Sequence, residues 1–395
     1  MAGYFHHYLG SASDILEAYR GVEPFSLYLK SYFKKNKKFG SRDRKFISDL
    51  CYGYLRIGKA ADTYDIDVQI KIGYYLTHQV DFGFIETFAP ELKETISEPL
   101  EQKLNLISIL FPGFNASDIF SFSDFVSSRI EKHAFSISHL QKPTYFIKIR
   151  PGRKEQVIQK LDQHSIPYQE FGELTIGIEQ NIDLASIFII EEEIVVQDIS
   201  SQNTIEILKG IKLKGDSVWD ACAGGGGKSI LIADKFRFKS NYTSDIRPSI
   251  LESLEKRLKK ANINLSGSFC TDLSNPLSIQ AAKQFLPKEG IELIIADVPC
   301  TGSGTWGRSP EWLRVFDASE IDVYQQRQIN IVENLLSFLR KDGYLLYITC
   351  SVFEKENEQV VNTLIGKHHL KIINESYLLG YPQKGDQLYA ALITL

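Results

Sequence analysis

Cysteine is scarce in this chain: five among 395 residues, at positions 51, 222, 270, 300 and 350. They are odd in number, scattered and never arranged as C-x-x-C. That excludes a disulfide framework, argues against a zinc site and points to a reducing cytoplasm. Long apolar runs are also missing, so no segment is expected to span a bilayer. The opening stretch MAGYFHHYLGSASDIL lacks the basic and apolar regions of a secretory signal. Charge of one sign is not in excess either: the net charge is −4, with 24% charged and 43% hydrophobic residues. Such a balance argues against a protein that coats nucleic acid indiscriminately but permits local basic patches. One lies at 30–45, KSYFKKNKKFGSRDRK, where Asp43 is the single acid; it reads equally as an RNA phosphate contact or a solvated helix end. Neither internal repeats nor low-complexity tracts occur. The expectation is a soluble cytoplasmic protein of two or three domains, with no metal, no membrane contact and no evident obligate protein partner.

The texture changes twice along the chain. Residues 1–138 read as helical, with SRDRKFISDLCYGYLRI offering Ser41 as N-cap and Phe46, Leu50, Tyr54 and Ile57 at helical spacing. Amphipathic stretches recur near 12–20, 64–76, 101–110 and 117–133. Residues 139–195 carry a β-α-β-β order: TYFIKIR, GRKEQVIQKLDQH, IPYQEF and LTIGIE. That suggests a compact α/β module whose Lys148, Arg150, Arg153 and Lys154 could touch RNA, a plain charged surface being the default reading. From 196 to 395 strands and helices alternate, as in a doubly wound α/β sheet, with strands expected at DSVWDA, YTSDI, GSFCTD, LIIADV, YLLYIT and QLYAALITL.

After the first of these strands come Cys222, Ala223, Gly224, Gly225, Gly226, Gly227 and Lys228, leading into a helix. Glycines let the backbone approach a ligand and open a helix N-terminus toward it. A P-loop would need glycine where Cys222 stands, and a dinucleotide fingerprint would need glycine where Ser229 stands. Asp245 ends the second strand, placed for a ribose diol, and Asp272 ends the third, placed for an adenine edge. A glycine loop without phosphate logic, followed by strand-end acids, suits S-adenosylmethionine. The alternatives are ordinary turn glycines and an Asp245 that caps the next helix.

Two cysteines close buried strand runs, Cys300 after IELIIADVP and Cys350 after YLLYIT. Ligands of open α/β sheets bind outside the carboxyl ends of the strands, so both thiols are expected at one crevice. One thiol that attacks and one that assists is the functional reading; two apolar strand-end residues is the bland one.

The motifs DACAGGGGKS, SDIRPSIL, ADVPCTGSGTWGRSPEW and YITCSVFEKENEQVV resemble, in order, those of the RNA cytosine-5 methyltransferases. SRDRKFISDLCYGYLRI resembles the NusB-like RNA-binding domain of bacterial 16S ribosomal RNA members, and the module ending in VVQDISSQ resembles their joining segment. The resemblance implies a class I (Rossmann-like) methyltransferase fold, S-adenosylmethionine as cofactor and RNA, above all 16S ribosomal RNA, as partner. It implies Cys350 as nucleophile toward cytosine C6, Cys300 as its helper, and Asp297 and Lys228 beside the base, although Lys228 reads equally as the salt-bridge partner of a nearby acid. The cofactor would lie among Cys222–Lys228, Asp245, Asp272 and Asp297. The chain departs from the family's C-A-A-P-G-G-K loop at Gly224 and Gly225. Competing readings are a transfer RNA or 23S cytosine-5 methyltransferase and a non-catalytic ribosome-assembly factor. A DNA cytosine-5 enzyme, with Cys300 as nucleophile, is disfavoured by the short stretch after Cys350.

Overall fold

The computed structural model describes residues 2–178 and 182–395, and divides them into two compact units. Glu179, at the end of the LTIGIE strand expectation, lies outside the described residues.

The first unit comprises 1–126, 130–142 and 305–318. Its helices are α1 (Ala2–Ala18), α2 (Phe25–Lys35), α3 (Ser41–Arg56), α4 (Ile66–Thr77), α5 (Phe84–Phe88), α6 (Leu100–Leu110), α7 (Lys132–Ser138) and the short α13 (Trp312–Val315). Leu9, Ile15, Phe25, Leu50, Ile70 and Phe84 form part of its buried core. Helices α3 and α4 cross where a Cβ on Gly73 would fall 2.4 Å from the Gly53 backbone. Only paired glycines permit that approach. Two expectations change here. Ser41 is the first helical residue, not the cap: Gly40 holds the cap position, and its N–H donates to Asp43 Oδ2 (2.8 Å). The stretch 117–133 is not one helix but two 3-10 turns, Ala116–Phe120 and Ser123–Phe125, before α7 starts behind Glu131. Asn115 caps the first turn, its Oδ1 accepting from Ser117 N (3.2 Å), and Ser, Asn and Asp favour such turns over helix interiors.

In 305–318, Trp306 is buried against Phe120, Phe122 and Phe316 (centroids 5.5, 5.6 and 4.9 Å). Glu311 Oε1 accepts from Phe25 N (2.9 Å) and Arg314 pairs with Asp62 (2.6 Å).

The second unit comprises 127–129, 143–304 and 319–395. Its smaller sheet contains β1 (Tyr145–Ile149), β2 (Tyr168–Glu170), β3 (Thr175–Ile178) and β4 (Ile194–Val196), in the order β2-β3-β1-β4, with α8 (Lys154–Gln163) packed on it. Strand β4 was not expected: three residues set among acids give no alternation to read. The larger sheet contains β5 (Ser217–Asp220), β6 (Ser240–Asp245), β7 (Gly267–Cys270), β8 (Ile291–Asp297), β9 (Leu339–Thr349), β10 (Lys371–Leu379) and β11 (Gln387–Thr394). Helices α9 (Ile199–Asn203), α10 (Gly227–Lys235), α11 (Pro248–Lys260), α12 (Pro276–Ala282), α14 (Glu320–Leu336) and α15 (Glu358–His368) connect them. The order is β10-β11-β9-β8-β5-β6-β7. Strands β5 to β9 pair in parallel, while β11 and β10 join antiparallel. Strand order reverses between β5 and β8, which puts the ligand crevice at their carboxyl ends. Among the described residues no helix is long and apolar enough to cross a membrane.

Candidate active site

All four residues of β5 are buried, and the chain leaves it through a tight turn in which Gly226 N donates to Ala223 O (2.8 Å). Gly224 and Gly226 adopt φ +51° and +79°. A Cβ on Gly226 would also fall 2.6 Å from Leu254, so glycine is required there twice over. A Cβ on Gly224 would meet only Arg247, at 3.9 Å, leaving an open cradle above the turn. Arg257 braces the loop from α11, donating to Gly225 O (2.6 Å) and Glu191 Oε1 (2.6 Å).

Asp245, at the end of β6, is buried and fully engaged. Its Oδ2 accepts from Gly224 N (2.9 Å) and Arg247 Nη2 (3.1 Å), and its Oδ1 from Arg247 N and Nε (both 2.9 Å). Burial acts to raise this carboxyl, but the Arg247 and Gly224 hydrogen bonds prevail and hold it below the usual range. Asp245 therefore does not cap α11, whose N-cap is Arg247. Asp272 lies two residues beyond β7, not at its end, and its carboxylate accepts from Ser274 N and Oγ (2.9 and 2.6 Å).

Lys228 and Asp297 are each other's partners. Lys228 Nζ donates to Asp297 Oδ2 (3.1 Å) and to Ser201 Oγ (2.8 Å). Asp220, beneath them, is 2% exposed and accepts from Ser229 Oγ (2.6 Å), while its Oδ1 has no partner. Burial, helped by the charge of Asp297 and opposed by Ser229, raises Asp220 to about 7. Cys222 is also pushed up, by burial and by Asp220, Asp297 and Asp245. It is a poor nucleophile in this setting.

The structure brings Cys300 and Cys350 together, with the two sulfurs 3.2 Å apart. Their loops are fastened to one another: Val298 N donates to Ile348 O (3.1 Å) and Gly304 N to Cys350 O (2.9 Å). A Cβ on Gly304 would fall 2.9 Å from Cys350 O, so the loops meet backbone to backbone. The hydrogen bond to Cys350, then burial, holds the Cys300 thiol well above its usual range.

Glu356 was legible only as part of a motif, without a role. Its carboxylate is fully buried and gathers four donors: Thr301 N (2.9 Å), Thr301 Oγ1 (2.5 Å), Ser351 Oγ (2.5 Å) and Gln328 Nε2 (2.9 Å). Thr301 follows Cys300 and Ser351 follows Cys350, so one side chain ties both thiol loops together. Burial holds it above the usual carboxylate range against the pull of these donors. Asn357 links Thr349 Oγ1 (2.5 Å) to Ser351 O (2.9 Å), and Glu358 accepts from Ser127 Oγ (2.6 Å) and Tyr377 OH (2.8 Å). Each member of the Glu-Asn-Glu run thus has a separate task.

Residues 211–383 match the profile of the family described as 16S rRNA methyltransferase RsmB/F. Over that stretch the chain is similar to the RsmB/F methyltransferases. Its curated relatives include ribosomal RNA small subunit methyltransferase B of Photorhabdus laumondii, 30% identical over 179 residues. That match covers 44% of this chain and 39% of the relative. The probable ribosomal RNA small subunit methyltransferase B of Bacillus subtilis is 26% identical, over 45% of this chain and 38% of its own length. The match thus spans less than half the length of these relatives. The fold also resembles the crystal structure of PH0851 (TM-score 0.69, 18% identity, 98% of both chains). NSun6 from Pyrococcus horikoshii is a further likeness (TM-score 0.57, 13% identity, 69% of this chain and 96% of that one). These likenesses show the fold, and the residues present fit S-adenosylmethionine as a cofactor. The open cradle at Gly224 and the half-buried Asp297 offer free space and an acceptor.

Proposed function

We propose that this chain transfers a methyl group to C5 of a cytosine in small-subunit ribosomal RNA through a covalent bond between Cys350 and C6. The observation that carries the reading is the 3.2 Å thiol pair fastened through Glu356. Cytosine C5 is a weak nucleophile until a thiolate adds at C6 and makes the ring enamine-like. S-adenosylmethionine, held by the 222–228 loop, Asp245 and Asp272, supplies the electrophilic methyl group.

Cys350 as thiolate forms the S–C6 bond while Asp297, steadied by Lys228, hydrogen-bonds the N3/N4 edge. The methylated ring must then lose its C5 proton, whose electron pair re-forms the C5–C6 double bond and expels the Cys350 thiolate. Cys300, once its own proton has passed to solvent, is the base for that step and takes the C5 proton. The largest cause of its raised pKa is Cys350 itself. Once Cys350 is a thioether that cause is gone, so Cys300 becomes easier to ionise when a base is needed. The target base must be flipped from its stack to reach the crevice, and the free thiols suit a reducing cytoplasm.

The test is a denaturing gel with labelled ribosomal RNA. Cys350→Ala should be inactive and give free protein. Cys300→Ala should methylate once and stay attached to RNA, and the double variant should lose that complex. Near-normal activity in both single variants would make the thiols structural, and trapping that vanishes whenever Cys300 alone is removed would reverse their roles.

A further inference from the structure

A cleft of about 820 Å³ opens at the amino ends of β6 and β7, the opposite end of the sheet from Cys300 and Cys350. It is lined by 150–153 and Glu192 of the smaller module, 233–241 around the end of α10, and 260–266 after α11. Its charge is lopsided. Six Lys or Arg line it against Glu192 and Asp234, in a chain whose net charge is −4.

Several of these cations are wall rather than ligand. Arg150 is committed to Asp234 (3.0 Å), Ala261 O (3.0 Å) and Glu191 O. Arg153 pairs with Glu192 (3.3 Å) and Lys239 with Asp216 (2.8 Å). Lys235, Arg237 and Lys260 are exposed and make no ion pair among the described residues. The run Lys235-Phe236-Arg237-Phe238-Lys239 alternates: Phe236 and Phe238 pack on the core behind the sheet, while the basic residues stay exposed. The anchored phenylalanines hold the cations in place. Asn262, Asn264 and Ser266 add neutral hydrogen-bonding groups on the facing wall, which is tied to β6 by Ser266 N donating to Asn241 O (2.7 Å).

We infer that this cleft binds the phosphodiester backbone of RNA, as a second contact remote from the chemistry. The inference rests on the RNA reading above. Strand β6 is six residues long, roughly 20 Å. RNA held at both ends of the sheet must therefore follow the flank of the domain, and phosphates flanking the target would meet Lys235, Arg237 and Lys260. Contacts of this kind carry affinity and salt dependence without sequence preference.

The test is fluorescence anisotropy of a labelled ribosomal RNA fragment across a potassium chloride series, with the full chain. The triple variant Lys235→Gln, Arg237→Gln, Lys260→Gln should bind at least ten-fold more weakly at about 0.15 M salt. The slope of log affinity against log salt should shrink by about 2, at roughly 0.7 for each phosphate no longer neutralised. S-adenosylmethionine affinity, read by calorimetry, should not change. The charge-keeping variant Lys235→Arg, Arg237→Lys, Lys260→Arg should bind RNA as the parent does, which separates an effect of charge from an effect of folding. If the parent binds RNA and the triple variant matches it in affinity and slope, the cleft is not an RNA contact. Weakened binding of an acidic polypeptide with RNA binding intact would also overturn the proposal. If the parent binds S-adenosylmethionine but no RNA, the RNA reading itself falls, and the cleft's role with it.

Discussion

At the scale of single residues, Glu356 and Asp220 make separable predictions. Glu356→Gln keeps the volume but sets an amide N–H₂ among four donors, leaving at least one buried donor unmatched. That should cost about 1–3 kcal/mol of stability. Because it loosens both thiol loops, methylation should fall by an order of magnitude or more while S-adenosylmethionine affinity holds. Thermal unfolding, initial rates and calorimetry together check this, and unchanged rates would reduce Glu356 to a packing residue. Asp220 predicts a pH dependence. Its folded pKa of about 7 lies above the ordinary 3.8. The folded state therefore binds more protons between those values, and the stability contribution present below about pH 4 is lost as pH rises toward 7. Asp220→Asn cannot ionise and still accepts from Ser229. Its advantage over the parent should grow from about pH 4 to 7 and then level off, on the order of 4 kcal/mol at most. A difference independent of pH, in melting curves at several buffers, would show that Asp220 is ionised throughout.

Among elements, the loop between β5 and α10 is the sharpest case. Gly225 stands where the resembling family carries proline. Its φ is not in the left-handed region, and its N–H donates to no backbone carbonyl among the described residues. Gly225→Pro should therefore stabilise the fold by about 1 kcal/mol by restricting the unfolded chain. Thermal melts decide it: a clear loss would mean that the left-handed Gly224 cannot precede proline. Strand and helix expectations succeeded where hydrophobic runs are long, as in β8 and β11. They failed for β4, which is too short to alternate, for the exposed β10, and for the serine-rich stretch at 117–133.

For the whole molecule, the basic stretch 34–38 belongs to the helical unit. Lys34, Lys35, Lys37 and Lys38 are all exposed there, with Lys38 over the Phe39 ring at 5.0 Å. Replacing the four with Gln should weaken RNA binding and flatten its salt dependence, with S-adenosylmethionine affinity unaffected. Anisotropy titrations measure this, and untouched RNA affinity would leave the stretch a solvated surface. The helical unit also claims 305–318, the continuation of the loop that carries Cys300. Chain order alone assigns that segment to the C-terminal domain; burial of Trp306 against Phe120 and Phe122 assigns it to the helices.

Local patterns in the chain were enough to order the strands that bear the glycine loop, the acids and the two thiols. Those features depend on short-range signals: apolar runs long enough to be strands, and polar residues at their ends. Which groups meet was settled by tertiary packing alone. A salt bridge from Lys228 to a nearby acid was legible, but its partner Asp297, the occupation of Asp245 by Arg247, the four donors on Glu356 and the basic cleft were not. A side chain's partner across a parallel sheet is set by register and crossover connections, which leave no local trace in the residues themselves.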